Sequence, residues 1–197
     1  DARRDERRIA LRQVRVQGGL ALIVTGGVAV LLGWVIAGRV AEAEGLLDEV
    51  SSWSSAAETG RFAASAAARY GLARALCERA RGRLDAYLTE LEGAVDGFDQ
   101  ADDGRNLWRA RCELGWGYAR LGDVDRGEAL LRSAMGTAER SGLAVLSAWA
   151  RRYLAAVCAR TGRGDEALVW AARAVDDGRA MQSPRLEGGG WLVRGWV

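Results

Sequence analysis

The 197 residues carry 28 basic and 26 acidic side chains, a formal charge of +2 that marks neither nucleic acid nor a charged surface as partner. Hydrophobic residues make up 49% of the chain and Pro occurs once, a composition that favours helices over sheet. Every basic residue is Arg and His is absent, which excludes a P-loop lysine, an ATP-contacting kinase lysine, a Ser-His-Asp or Cys-His pair and any histidine metal ligand.

Residues 1–15 are rich in Arg and read as a solvated helix, or as a basic flank to the segment after them. Residues 16–38 hold no charge, and about 20 apolar residues suffice to cross a bilayer. A membrane span is therefore one reading of this stretch. The preferred reading is the first helix of a repeat, because Gly18-Gly19 and Gly26-Gly27 interrupt the run and Gly38, Ala43 and Leu47 begin a second helix. Residues 51–60 are Ser-rich and form a link. Residues 62–80 are expected to be helical, with Phe62, Ala66, Tyr70, Ala73 and Cys77 on one stripe. Residues 84–98 form the partner helix, with Leu84, Leu88, Leu91, Val95 and Phe98 at three- and four-residue steps. An exposed acidic link over 99–106 precedes a pair at 107–121 and 124–140, and Ser141-Gly142 punctuates the chain before a pair at 143–161 and 165–181. Pro184 stops that last helix, and 186–197 opens a further unit.

These elements repeat. Gly82, Gly122 and Gly162 share one register, and Ala94, Ala134 and Ala174 share another, each set at a spacing of 40. Gly at the turn supplies a left-handed backbone, and Asp123 is placed to cap the next helix. Gly115, Gly127, Ala134, Ala167 and Ala174 let antiparallel helices approach, while Leu114, Leu121, Leu130 and Leu131 fill the space between them. A period of this size marks stacked helix pairs, since one pair cannot bury its apolar face alone. The expected fold is all-α, a right-handed α-solenoid in one domain over 1–197, with units at 16–57, 58–100, 104–141, 143–181 and a truncated one at 186–197. The chain starts without Met and stops inside an apparent new helix, and is expected to be a piece of a longer protein.

Leu114, Gly115, Tyr118, Leu121, Gly122, Gly127, Leu131 and Ala134 stand at spacings that resemble the tetratricopeptide repeat, as do Leu154, Ala155, Gly162, Ala167 and Ala174. The unit is longer than the 34 residues of that family, which implies longer helices or links. Residues 85–197 are also similar to the repeat tails of large bacterial serine/threonine kinases and signalling ATPases, where runs like Arg185-Leu-Glu-Gly-Gly189 recur. The resemblance implies a protein–protein interaction scaffold or sensor segment, with any catalytic domain outside this chain.

Cys77, Cys112 and Cys158 lie far apart without a Cys-x-x-Cys pair and read as small buried hydrophobes, which makes a reducing cytoplasm the expected location. The acidic pairs Asp102-Asp103 and Asp176-Asp177 read as solvated. The tryptophans of the second half serve packing between helices or line a groove on the first helices of the pairs. In the second case Trp116, Arg120, Arg151 and Arg160 are the candidate partner-binding residues, facing an acidic or carboxylate-ended polypeptide. No enzyme activity, cofactor, metal or nucleic acid is expected. The alternative function is a membrane-anchored repeat protein held by 16–38.

Overall fold

The computed structural model describes residues 61–197 together with residues 41, 42, 45 and 47. The sequence readings for residues 1–40, the candidate span and most of the first unit among them, lie outside the described residues. Seven helices run from residue 61 onward, with no strand among the described residues: α1 (Arg61–Ala80), α2 (Leu84–Gln100), α3 (Gly104–Leu121), α4 (Val124–Arg140), α5 (Ala144–Arg160), α6 (Gly164–Ala180) and α7 (Pro184–Arg194). The chain divides into two compact units, Asp1–Asp103 and Gly104–Val197.

The turns follow one local plan. Backbone φ is positive at Gly82, Asp102, Gly122, Gly142, Gly162 and Gln182, each twenty residues after the last. At every one, the next residue's N–H reaches back five residues, as in Asp123 N–H to Tyr118 O at 3.0 Å and Leu143 N–H to Ala138 O at 2.8 Å. The positive-φ residue itself donates three residues back, as Gly142 does to Glu139 O at 3.2 Å. This is the Schellman closure, which satisfies carbonyls that a helix end otherwise leaves open. Asp123 also caps α4, its side chain accepting from Arg126 N–H at 3.4 Å.

Two expectations change here. The link over 99–106 is a short turn, because α2 runs to Gln100 and Asp102 adopts the left-handed conformation at φ 55° that Asp tolerates. Pro184 opens α7 instead of holding it off until residue 186, since its fixed φ suits a first helical position, where an N–H is unused. Helices α2 to α6 span 17 or 18 residues each, and the links between them are short.

Gly122, at φ 101°, is the most demanding of these turns for a side chain. Gly122→Val is expected to lower stability by about 1–2 kcal/mol through backbone strain alone, because a bulky residue resists this region. Urea denaturation of the two proteins checks it, and an unchanged midpoint would refute the strain.

In the first unit, α1 and α2 pack antiparallel. Gly71 faces Glu90 and Ala94, while a Cβ on Gly97 would lie 2.9 Å from the Ala68 methyl. The shared core holds Leu72, Ala75, Leu76 and Cys77 against Tyr87, Leu88, Leu91, Ala94 and Phe98. On α2, Tyr87 and Ala94 take the fully buried places expected of Leu84 and Val95. Asp103, expected in solvent, accepts from Ser65 Oγ at 3.0 Å and pairs with Arg69 at 3.1 Å.

The second unit has two layers. α5 packs on α3 and α7 on either side, and on α4 and α6 behind. It is the most enclosed helix: Leu146, Ala150, Tyr153, Leu154 and Val157 are all buried. The backbones of α3 and α4 touch at glycine, where a Cβ on Gly127 would meet Gly115 O at 2.5 Å. Ala134 and Ala174 are 1% exposed, whereas Leu121, expected between helices, is 47% exposed because it is the last residue of α3, where the chain turns away. The Gly188-Gly-Gly190 run, poor helix formers in sequence, sits inside α7. A Cβ on Gly190 would lie 2.9 Å from Val175 N, and one on Gly189 would lie 2.5 Å from Arg152 Cδ. Close approach on two sides accounts for both residues.

Candidate functional site

Tyr153 of α5 is the centre of the first-helix layer. Its ring stacks on Trp116 of α3 at 5.6 Å with 13° between planes, and Trp149 tilts against it at 6.0 Å. Its hydroxyl donates to Glu113 Oε1 at 2.7 Å in a buried bond between residues 40 apart. Positions in the same register of consecutive first helices thus meet directly. Trp116 packs against the buried cluster formed by Cys112, Leu131, Tyr153 and Leu154, among others.

The four residues singled out in sequence fall into three places. Arg120 and Arg160, in the last turns of α3 and α5, together line a pocket of about 170 Å³ whose floor includes Ala119, Val124 and Val157. Both sit at helix C-termini, where the helix dipole favours a cation. Trp116 does not line this pocket; it is committed to Tyr153. Arg151 is engaged elsewhere, pairing with Asp177 of α6 at 2.5 Å and Glu139 of α4 at 2.7 Å. Asp177, expected in solvent, is therefore half of a clamp that ties α5 to α6.

A second ion network joins α4 to α6. Glu128 receives Arg163 at 2.5 Å and Arg132 at 2.6 Å, and Arg132 also reaches Glu166 at 2.9 Å. The hydrogen bond from Arg163 is the main cause that holds the Glu128 carboxyl below its usual range. Trp170 donates to Glu166 and, with Arg132, does the same there. These carboxylates stay ionised and occupied with their arginines, so they are poor candidates for proton transfer.

The cysteines are buried and reduced. Burial, and then the neighbouring Glu113 carboxylate, pushes the Cys112 thiol up to about 12, and burial pushes Cys158 up to about 11. Such thiols carry almost no thiolate near neutrality and are weak nucleophiles and ligands. No group of His, Cys, Asp and Glu side chains suited to a metal ion occurs among the described residues. Nor is any helix among them long and apolar enough to cross a membrane.

A further group of residues meets across these helices. Arg109 and Glu113 on α3, Trp149, Arg152 and Tyr153 on α5, and Arg185 on α7 belong to adjacent helices of one layer. Arg152 lies over Trp149 at 4.5 Å and over Tyr153 at 4.3 Å, and Arg185 lies over Trp149 at 4.8 Å. Superposing the chain on itself at a shift of 40 residues puts Glu113 opposite Tyr153, the signal that leads to this group.

Compared with known protein families, with curated proteins and with solved structures, the chain matches none. What the structure defines is a class: among the described residues, an all-helical chain whose consecutive helices pack on one another within each unit.

Proposed function

We propose that this chain is a protein–protein interaction module, a right-handed solenoid of tetratricopeptide-like pairs with a period of about 40 residues. In this reading it is a scaffold or sensor segment of a larger bacterial signalling protein, linked to a kinase or ATPase and working in the cytoplasm. It takes an acidic or carboxylate-ended polypeptide along the first helices of its pairs. The observation that carries the reading is that Arg120 and Arg160 line one small pocket together with the apolar Ala119, Val124 and Val157. Planar guanidinium groups on two residues of one pocket suit a carboxylate, and Arg is a residue type that often dominates binding energy at interfaces. Arg151 supports the layer through its clamp, and Trp116 supports it through Tyr153, so their contribution to binding is the positioning of α5 and α3.

Peptides selected on the native chain from a library with free C-termini provide the test. The double change Arg120→Ala with Arg160→Ala is expected to weaken the selected peptides at least about tenfold, the loss of one charge-assisted contact. Thermal stability should move by less than about 0.5 kcal/mol, because surface changes away from packed features are usually that mild. Undiminished affinity would put the binding surface elsewhere. A repeat protein anchored through residues 16–38 is the second reading, favoured by that charge-free run, and partition of the chain into detergent distinguishes it.

A further inference from the structure

Seven arginines among the described residues hold a carboxylate: Arg69, Arg74, Arg83, Arg132, Arg151, Arg163 and Arg179. Arg109, Arg152 and Arg185 do not. Among the described residues none of the three has a carboxylate within ion-pair distance, although they share one layer with Glu113. Glu113 is buried and its carboxylate accepts from the Tyr153 hydroxyl.

We propose that Arg152 and Arg185, which lie on Trp149, form with Arg109 of the neighbouring helix α3 a binding site for a phosphate monoester dianion. Three guanidinium charges against one buried carboxylate leave two positive charges to be matched. A phosphate monoester brings close to two negative charges at neutral pH. A carboxylate, a sulfate ester or a phosphodiester brings one.

The donors are held ready. A guanidinium lying on an aromatic face keeps its in-plane N–H groups free at the edge, and Arg152 and Arg185 both lie on Trp149. Arg152 is fixed further by Tyr153 and by α7, whose Gly189 leaves room for the Arg152 stem. Its Nε is buried and has no hydrogen-bond partner, an unmet demand of the kind that a functional group can explain. Arg109 stands one helical turn before Glu113 and so shares its face of α3. Partial desolvation of the guanidinium, and then the like charge of Arg109, lowers the proton affinity of Arg185. This site does not rest on the polypeptide-binding reading, which uses Arg120 and Arg160.

The test is titration of the full chain with phenyl phosphate and with phenyl sulfate, which share a shape and differ in charge. Arginine Nε–Hε resonances are followed by nuclear magnetic resonance. The expected result is a shift at Arg109, Arg152 and Arg185, with phenyl phosphate binding at least about tenfold tighter than phenyl sulfate. Arg185→Gln, at an exposed position without an ion pair, should lose about tenfold in affinity and keep the melting temperature. Inorganic phosphate and a short phosphoserine peptide separate the two sources of the group. Tighter binding of the peptide supports a protein-borne phosphate, and equal or weaker binding supports a free one. Equal affinity for the sulfate, no shift at the three arginines, or wild-type binding by the Arg185→Gln protein would overturn the proposal.

Discussion

Tyr153→Ala is expected to be the most damaging single truncation in the second unit, at about 3–5 kcal/mol, the range for removing a buried aromatic ring. The ring is 3% exposed and supports Trp116 on one side and Trp149 on the other. Its removal leaves a cavity at the meeting of α3 and α5 and deletes the hydrogen bond to Glu113. Since a whole domain is stable by only about 5–15 kcal/mol, much of the margin would be lost. Tyr153→Phe keeps the ring and deletes only the hydroxyl, so it separates the packing loss from the polar one. The phenylalanine protein should lose about 0.5–1.5 kcal/mol, the net contribution of one intramolecular hydrogen bond. Urea denaturation followed by far-ultraviolet circular dichroism measures both, and equal losses in the two proteins would mean that the ring itself contributes little.

The second large effect comes from a single methyl group. Gly127→Ala places a Cβ 2.5 Å from Gly115 O and 2.9 Å from Ala119 N, both backbone atoms of α3. No side chain can swing aside, so the helices of this pair must separate. A loss of roughly 1–3 kcal/mol, or somewhat more, is expected. The same substitution at Gly93 of α2, where nothing lies within 4 Å of the added carbon, should instead stabilise by about 0.5–1 kcal/mol, since Ala is the better helix former. Opposite signs at two helical glycines would establish that contact, and not propensity, sets the first value. A Gly127→Ala protein as stable as the native one would show that the α3–α4 crossing is looser than these distances imply.

The glycine positions show how far sequence reaches. Gly82, Gly122, Gly142 and Gly162 punctuate the chain visibly, and the helix ends beside them lie within a residue or so of where spacing puts them. Asp102 and Gln182 perform the same left-handed turn without a glycine. Composition suggests a loop at the first of these and a stop at the second, and only the twenty-residue interval, stricter than any single residue preference, reveals two further turns. The small residues Gly127, Ala134 and Ala174 were legible as contact positions because the period repeats them. Gly189 was not, since its neighbour is the stem of Arg152 from another helix, and no local pattern encodes that meeting.

The functional residues divide in a similar way. Residue type made Trp116, Arg120, Arg151 and Arg160 look alike on their helices. Partners separate them: Arg151 is claimed by Asp177 and Glu139, Trp116 by Tyr153, and Arg120 and Arg160 by one pocket. Ion pairs between helices depend on which carboxylate a neighbouring element presents, which a single sequence leaves open. Arg109 and Arg185 were hidden for the complementary reason, because an unmet charge becomes visible only once the met ones are known.

The recurrent Schellman turn has a kinetic side. Each chain reversal is closed by bonds between residues at most five apart, so direction changes without waiting for a distant partner. Closing so short a loop carries a small entropic cost, and even the buried bond between Tyr153 and Glu113 spans only 40 residues. Contacts of such low order assemble quickly, and within Gly104–Val197 each hairpin can serve as the surface on which the next one condenses.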